Sequence, residues 1–298
     1  MKEKIEQLKR QRNAVILAHN YTPADVQDIA DYTGDSLELA RIATNVDADV
    51  IVLCGVYFMA ETAAILNPTK TVLIPNPSAG CPMADMINAS QLRGLKAKHP
   101  GAVAACYVNS TAEVKAECDI CVTSGNAEKV MSTIGREKEI IFVPDRHLGS
   151  HVSGKEGREY ILWQGHCPIH NALACETVLA MKAKYPNVPV LVHPECPKSV
   201  RDVADYCLST GGMCKFARES SESTFLIGTE IGILHRLRKE NPNKVFIPVS
   251  QDLVCNDMKK ITLEGVYSSL NEMKHKVVVP DEIATKARRA IEAMLKAS

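Results

Sequence analysis

The sequence predicts an α/β protein built from three similar small layers, each a parallel sheet with helices on its faces. Three observations predict it. Short apolar, strand-like runs alternate with helical runs along the chain. Three segments share one register, with landmarks 88 and then 86 residues apart. The strand ends in each segment carry polar side chains, as the working edge of a parallel sheet does.

The first copy begins with a basic helix end at 8–13, then a strand from Ala14 into His19, Asn20 and Tyr21. Its counterparts run from Leu95 through Ala102 to Tyr107, Val108 and Asn109, and from Met181 through Val188 to His193, Pro194 and Glu195. The echo continues at Asp31, Asp119 and Asp205, each opening a second short strand. Third strands are expected at 50–55, 140–144 and 224–228, and fourth strands at 71–75, 159–164 and 245–249. Helices start at Thr22-Pro23-Ala24-Asp25, with a capping hydroxyl, a first-turn proline and a first-turn acid, and at Ser110-Thr111 and Pro197. Further helices are expected from Ser36, Asn126 and Gly228. The domains are expected at 1–85, 86–171 and 172–264, with the C-terminal helical segment 265–298 packing back on the first.

Composition excludes several classes. Apolar residues make up 46% and charged residues 23% of 298, which excludes bulk disorder. Thirty-five basic residues balance 35 acidic ones, so there is no basic excess for general nucleic-acid binding. The longest apolar run, Val50 to Ala60, is too short to span a bilayer and is flanked by Asp49 and Glu61. The first twelve residues are mostly charged or polar, unlike a secretion signal, so a cytoplasmic location is expected. In a reducing compartment the eleven cysteines are not expected to be structural disulfides.

The repeat sorts those cysteines. One follows each fourth strand: Cys81, Cys167 and Cys255, spaced by 86 and 88 residues. Equivalent positions in three pseudo-symmetric units converge on an axis, where three thiolates leave a fourth ligand position open. Such a site takes zinc or an iron–sulfur cluster with one free iron. Cys118 and Cys121 form a C-x-x-C inside an apparent strand, where alternation puts them on opposite faces and packing explains them. Hydroxyls and helix N-termini at the strand ends suit a small anionic ligand without an arginine excess.

At these residues the chain resembles a known family, the quinolinate synthases, iron–sulfur enzymes of de novo NAD biosynthesis. The resemblance rests on Ile16-Leu-Ala-His-Asn-Tyr21, Gly34-Asp-Ser36, Phe58-Met-Ala-Glu61, Cys81-Pro-Met-Ala84 and Tyr107-Val-Asn-Ser-Thr111. It continues through Gly165-His-Cys-Pro168, His193-Pro-Glu-Cys-Pro197, Ser209-Thr-Gly211, Gly228-Thr-Glu-Ile-Gly232 and Met258-Lys-Lys260. It implies three pseudo-symmetric three-layer α/β/α domains around a central [4Fe–4S] cluster held by Cys81, Cys167 and Cys255. It implies a transferase that condenses iminosuccinate with dihydroxyacetone phosphate to quinolinate, releasing phosphate and water. A functional link to an enzyme supplying iminosuccinate goes with that. The resemblance maps the substrate pocket onto His19, Ser36, Tyr107, Val108, Asn109, Ser124, His193, Pro194, Glu195 and Thr210. By the same resemblance Tyr21 and Glu195 are the acid–base residues. His193, two residues before Glu195 with Pro194 between them, is expected to face the same pocket from an extended segment and to hold a substrate oxygen. Two other readings fit the residues alone: an iron–sulfur hydro-lyase acting on a small hydroxy acid, and a small-anion-binding protein with structural zinc.

Overall fold

The computed structural model describes all 298 residues. Its first sheet holds β1 (Ala14–His19), β2 (Tyr32–Gly34), β3 (Val50–Cys54) and β4 (Thr71–Leu73), in the order β2-β1-β3-β4. The second holds β5 (Val103–Tyr107), β6 (Ile120–Val122), β7 (Ile140–Val143) and β8 (Ile161–Leu162), in the order β6-β5-β7-β8. The third holds β9 (Val190–Val192), β10 (Tyr206–Cys207), β11 (Thr224–Gly228) and β12 (Val245–Pro248), in the order β10-β9-β11-β12. All pairings inside the sheets are parallel. One strand order, used three times, is the repeat read from the sequence. β1 and β3 are buried almost throughout, because helices cover both faces of the sheet.

The repeated aspartates explain the shared register. Asp31 accepts the Ile16 N–H at 2.8 Å, Asp119 that of Ala104 at 2.8 Å, and Asp205 that of Val190 at 2.9 Å. Each pins the edge strand to the central one near its start. Lys9 and Lys182, from the basic helix ends, reach Asp31 and Asp205 at 2.7 and 2.8 Å. These residues sit at the far end of the sheets from the cavity and serve the fold.

Two local expectations change. Thr22 does not cap helix Ala24–Ile29; its hydroxyl donates back to the His19 carbonyl at 2.9 Å, tightening the turn after β1. The third copy's helix does not begin at Gly228. Residues 229–232 form a loop, and the helix runs Ile233–Glu240. The Glu230 carboxylate draws that loop inward by accepting the N–H groups of Gly232 and Cys255 at 2.8 and 3.1 Å.

The C-terminal segment is two helices with different hosts. Leu263–Glu272 packs on the first layer, against the N-terminal helix Lys2–Arg12. The last helix, Asp281–Ala297, packs chiefly on the second layer, against helix Ala112–Ala116 and β6, and touches helix Tyr57–Leu66 of the first. The expectation that it returns to the first layer is therefore corrected. Its buried stripe, Ala284, Ala287, Ala290, Ile291 and Met294, is small enough at three positions to seat a helix closely in the seam between two layers.

Buried polar groups brace the layers. Lys115, fully buried, donates to the Phe58 carbonyl, the Thr62 hydroxyl and the Ser110 carbonyl at 3.3, 3.0 and 2.8 Å. Glu61 answers from the first layer by accepting the Ala112 N–H at 3.0 Å. One continuous apolar core runs through the layers, and a separate cluster of 9 buried residues lies within the third.

Candidate active site

A cavity of about 220 Å³ opens where the carboxyl ends of the three sheets meet. Each layer supplies part of its wall: His19, Tyr21, Ser36 and Cys81 from the first, Tyr107, Asn109, Ser124 and Cys167 from the second, and His193, Glu195, Thr210 and Cys255 from the third. Val108 and Pro194 are buried but do not line the cavity. Val108 faces a small apolar void behind it.

Two histidines sit in equivalent turns. β1 ends at His19, and the Thr22 N–H closes back on the His19 carbonyl at 3.0 Å. β9 ends at Val192, and the Cys196 N–H closes on the His193 carbonyl at 3.0 Å. His193 and Glu195 thus share the cavity through a tight turn, not the expected extended segment. In both turns the N–H two residues on donates to the ring Nδ1, Tyr21 to His19 at 3.2 Å and Glu195 to His193 at 3.3 Å. With Nδ1 accepting, a neutral ring carries its proton on Nε2. Burial pushes both imidazoles down to about 3, so both stay neutral at ordinary pH. His193 Nε2 then donates to the Ser124 hydroxyl at 3.2 Å.

Glu195 is the centre of the polar network. Tyr107 donates to its Oε1 at 2.7 Å, and His170 Nδ1 lies 2.7 Å from its Oε2. Burial alone would raise its pKa, but the hydrogen bonds from His170 and Tyr107 hold it below the usual carboxylate range. Burial and the Glu195 charge push the Tyr21 and Tyr107 phenols up, so both carry their protons. The arrangement couples a carboxylate to two neutral phenols in a nearly closed space.

The hydroxyls stand at helix starts. Ser36 and Thr210 are the first residues of helices Ser36–Asn45 and Thr210–Glu219, capped by Asp35 and Ser209. Thr210 Oγ1 also accepts from Asn20 at 3.0 Å, which joins the third layer to the first. Asn109 Oδ1 is buried at the wall and has no hydrogen-bond partner in the protein. Such an orphaned acceptor marks a place for a donor on a ligand.

The three cysteines fit the donor set of a multi-iron cluster. Each is followed by a short turn whose N–H groups approach its sulfur: Met83 and Ala84 at Cys81, His170 at Cys167, and Asp257 and Met258 at Cys255. Burial keeps the free thiols protonated, Cys81 up to about 12, so metal would have to displace those protons. A single zinc would draw its ligands to within roughly 4 Å of one another. The donors that do cluster within 4.8 Å are Cys167, His170 and Glu195, not the three thiols. The wider thiol triangle suits a larger inorganic core.

His170, Thr229 and Glu230 were missed from sequence. His170 stacks on His193 with centroids 4.7 Å apart and lies 3.2 Å from the Cys167 sulfur. The one-turn helix Pro168–Asn171 brings it back onto Cys167, so the C-x-x-H spacing was an available signal. Thr229 and Glu230 were read as helix, which hid them. Cys118 and Cys121 behave differently from the strand reading. β6 starts only at Ile120, so strand alternation never reaches Cys118, whose thiol donates to the Val114 carbonyl at 3.1 Å.

Three parallel layers enclosing an acid–base pocket define an α/β enzyme that works on a small molecule held between them. The quinolinate synthetase A protein family matches residues 3–296. A quinolinate synthase of Dehalococcoides mccartyi is 54% identical over 293 residues, 98% of this chain and 97% of that protein. One from Methanoregula boonei is 51% identical over 295 residues, covering 99% and 97%. One from Clostridioides difficile is 47% identical over 293 residues, covering 98% and 96%. The chain belongs to the quinolinate synthetase A protein family.

Proposed function

We propose that the chain is a quinolinate synthase, condensing iminosuccinate with dihydroxyacetone phosphate to quinolinate with loss of phosphate and water. The observation that carries this is the position of Glu195, a buried carboxylate facing a closed cavity between Tyr107, His170 and His193. Ring formation needs a proton removed beside an imine or carbonyl and protons delivered to departing hydroxyls. Glu195 takes the first role. Its basicity rises once substrate displaces one of its two donors. Tyr21, protonated and across the cavity, takes the second. The Nε2–H of His193 and of His19 holds substrate oxygens. Ser36, Ser124 and Thr210, with Asn109 and the Tyr107 hydroxyl, bind carboxylate and phosphate, helped by the helix starts at Ser36 and Thr210. Val108 and Pro194 contribute backbone shape. Enclosure keeps iminosuccinate from hydrolysis.

Cys81, Cys167 and Cys255 would hold a [4Fe–4S] cluster. That group would supply a Lewis-acid iron for a substrate carboxylate or hydroxyl. The layer boundaries follow the repeat, near 85 and 171, and the protein acts in the cytoplasm beside an enzyme that supplies iminosuccinate. No helix is long and apolar enough to cross a membrane. The deciding experiment is anaerobic purification with iron and sulfide analysis, followed by a quinolinate assay with both substrates. Quinolinate formed only with both substrates and a loaded cluster supports the reading; a cluster-loaded enzyme that makes none overturns it.

A further inference from the structure

We propose that Asn126 is a positioning residue that holds the Ser124 hydroxyl in the cavity wall, and that Ser298, just past the last helix, sets the orientation of its amide. This rests on the reading of Ser124 as a substrate-binding hydroxyl. The three layers do not brace their hydroxyls alike. Ser36 and Thr210 open helices of ten residues, and the caps Asp35 and Ser209 bind N–H groups of those helices. Ser124 stands at the equivalent place in the second layer, 88 residues after Ser36 and 86 before Thr210. Its helix starts only at Ala127, runs five residues to Met131 and has no side-chain cap. A helix that short gives little cooperative hold on the turn before it. Ser124 therefore needs another support.

Asn126 supplies it. The side chain, 5% exposed, turns back on its own loop. Its Oδ1 accepts the Thr123 N–H at 2.6 Å and the Thr123 hydroxyl at 3.0 Å. The Thr123 Oγ1 accepts the Gly125 N–H at 3.2 Å, and the Thr123 carbonyl accepts the N–H groups of Asn126 and Ala127 at 3.2 and 2.9 Å. The turn 123–126 is thus closed on Thr123, with the Ser124 hydroxyl 3.2 Å from His193 Nε2. Gly125 is the weak link, because a glycine backbone moves freely unless something holds it. A Cβ on it would lie 3.3 Å from Ser209 Oγ and 3.7 Å from Asp35 Oδ2, so the turn abuts the caps of both other layers. A shift of the turn would move Ser124 relative to Ser36 and Thr210. Asn126 is absent from the cavity wall, so it acts through Ser124 and not on substrate.

The amide has only one way round. Oδ1 must face the Thr123 N–H, so Nδ2 faces away and needs an acceptor. That acceptor is Ser298 Oγ at 2.6 Å, whose own proton goes to the Met294 carbonyl at 2.6 Å. With its proton committed, the hydroxyl accepts from Asn126. Met294 belongs to the buried stripe of the last helix. The helix packed along the second layer thereby reaches the turn that carries Ser124.

The test is a set of steady-state measurements on cluster-loaded full-length enzyme. Ser124→Ala first identifies the substrate whose KM depends on this hydroxyl. Asn126→Ala should raise that same KM about 3- to 10-fold, with kcat and the other KM changed less than about twofold and with wild-type iron and sulfide content. In the Ser124→Ala background the same change should add less than about twofold, because it acts through Ser124. Ser298→Ala should raise the same KM about two- to fourfold, and Ser298→Thr, which keeps the hydroxyl, should stay within about 1.5-fold of wild type. Wild-type KM in Asn126→Ala, full multiplicativity with Ser124→Ala, or an equal loss in Ser298→Ala and Ser298→Thr overturns the proposal. If Asn126→Ala does not fold, the two Ser298 variants carry the test, alone and in the Ser124→Ala background. Ser124→Ala with both KM values unchanged would instead overturn the reading of Ser124, and the proposal with it.

Discussion

Two groups of three cysteines lie in this molecule, and they differ in everything but number. Cys81, Cys167 and Cys255 come from three layers, sit partly exposed at one cavity, and each precedes a turn with N–H groups near its sulfur. Cys106, Cys118 and Cys121 come from one layer and pack beside the buried Lys115. Cys106 and Cys121 are register partners on neighbouring strands, both at 0% exposure. The second group is drawn together by sheet pairing, which happens to place like residues side by side. The first is drawn together by the symmetry of the fold. On the proposed assignment, nearness of thiols is a poor guide to a cofactor site, and position at a strand exit, facing an opening, is a better one.

The largest effect that sharpens this contrast is an all-or-none loss. Replacing any one of Cys81, Cys167 or Cys255 by Ala is expected to remove iron and acid-labile sulfide after anaerobic reconstitution. Replacing Cys106, Cys118 or Cys121 should leave the full complement. A reconstituted Cys255→Ala protein with wild-type iron would break the comparison. Next in size, Glu195→Gln is expected to lower single-turnover quinolinate formation by roughly 10²- to 10⁴-fold with the cluster intact. Product at the wild-type rate would remove Glu195 from the chemistry.

The second group should report on stability instead. Lys115→Met strips three buried acceptors of their donor and is expected to cost about 3 kcal/mol, read as a lower urea midpoint at unchanged slope. Acid should also act on the cavity side. His19 and His193 titrate at about 3 in the folded chain against 6.5 unfolded, so the unfolded state binds more protons between these values. Stability is then present above about pH 6.5 and is lost on acidification towards pH 3, by about 1.4 kcal/mol per pH unit for each histidine. In denaturant titrations from pH 7 to 5, His19→Asn should lose less stability than wild type. An equal or steeper loss would count against the burial of a neutral ring. The smallest effect is expected from Cys118→Ala, about 1 kcal/mol with normal turnover.

The register of the repeat made the layers and the cysteine triangle legible, because a period of 86 to 88 residues appears at strands, aspartates and cysteines alike. The same register brought His19, Tyr107 and His193 to one cavity. What stayed hidden depends on long-range pairing. His170 has only its C-x-x-H spacing to mark it in the sequence, and only the fold lays it on His193 and Glu195. Thr229 lies between two glycines' worth of loop that a run of Ile and Leu disguised as a helix start. The last helix was assigned to the wrong layer because its alanine stripe says how closely it packs and nothing about the partner.

The separate cluster in the third layer, including Val178, Val190, Val192, Val200 and Leu226, binds helices Cys175–Lys184 and Lys198–Val203 to the outer face of their sheet without joining the main core. The other face of that sheet, with Leu191, Phe225 and Ile227, belongs to the main core that joins all three layers. Amide protons in those two helices can exchange through an opening that leaves the rest of the protein protected, so this outer face of the third layer is a cooperative unit with its own, lower opening free energy.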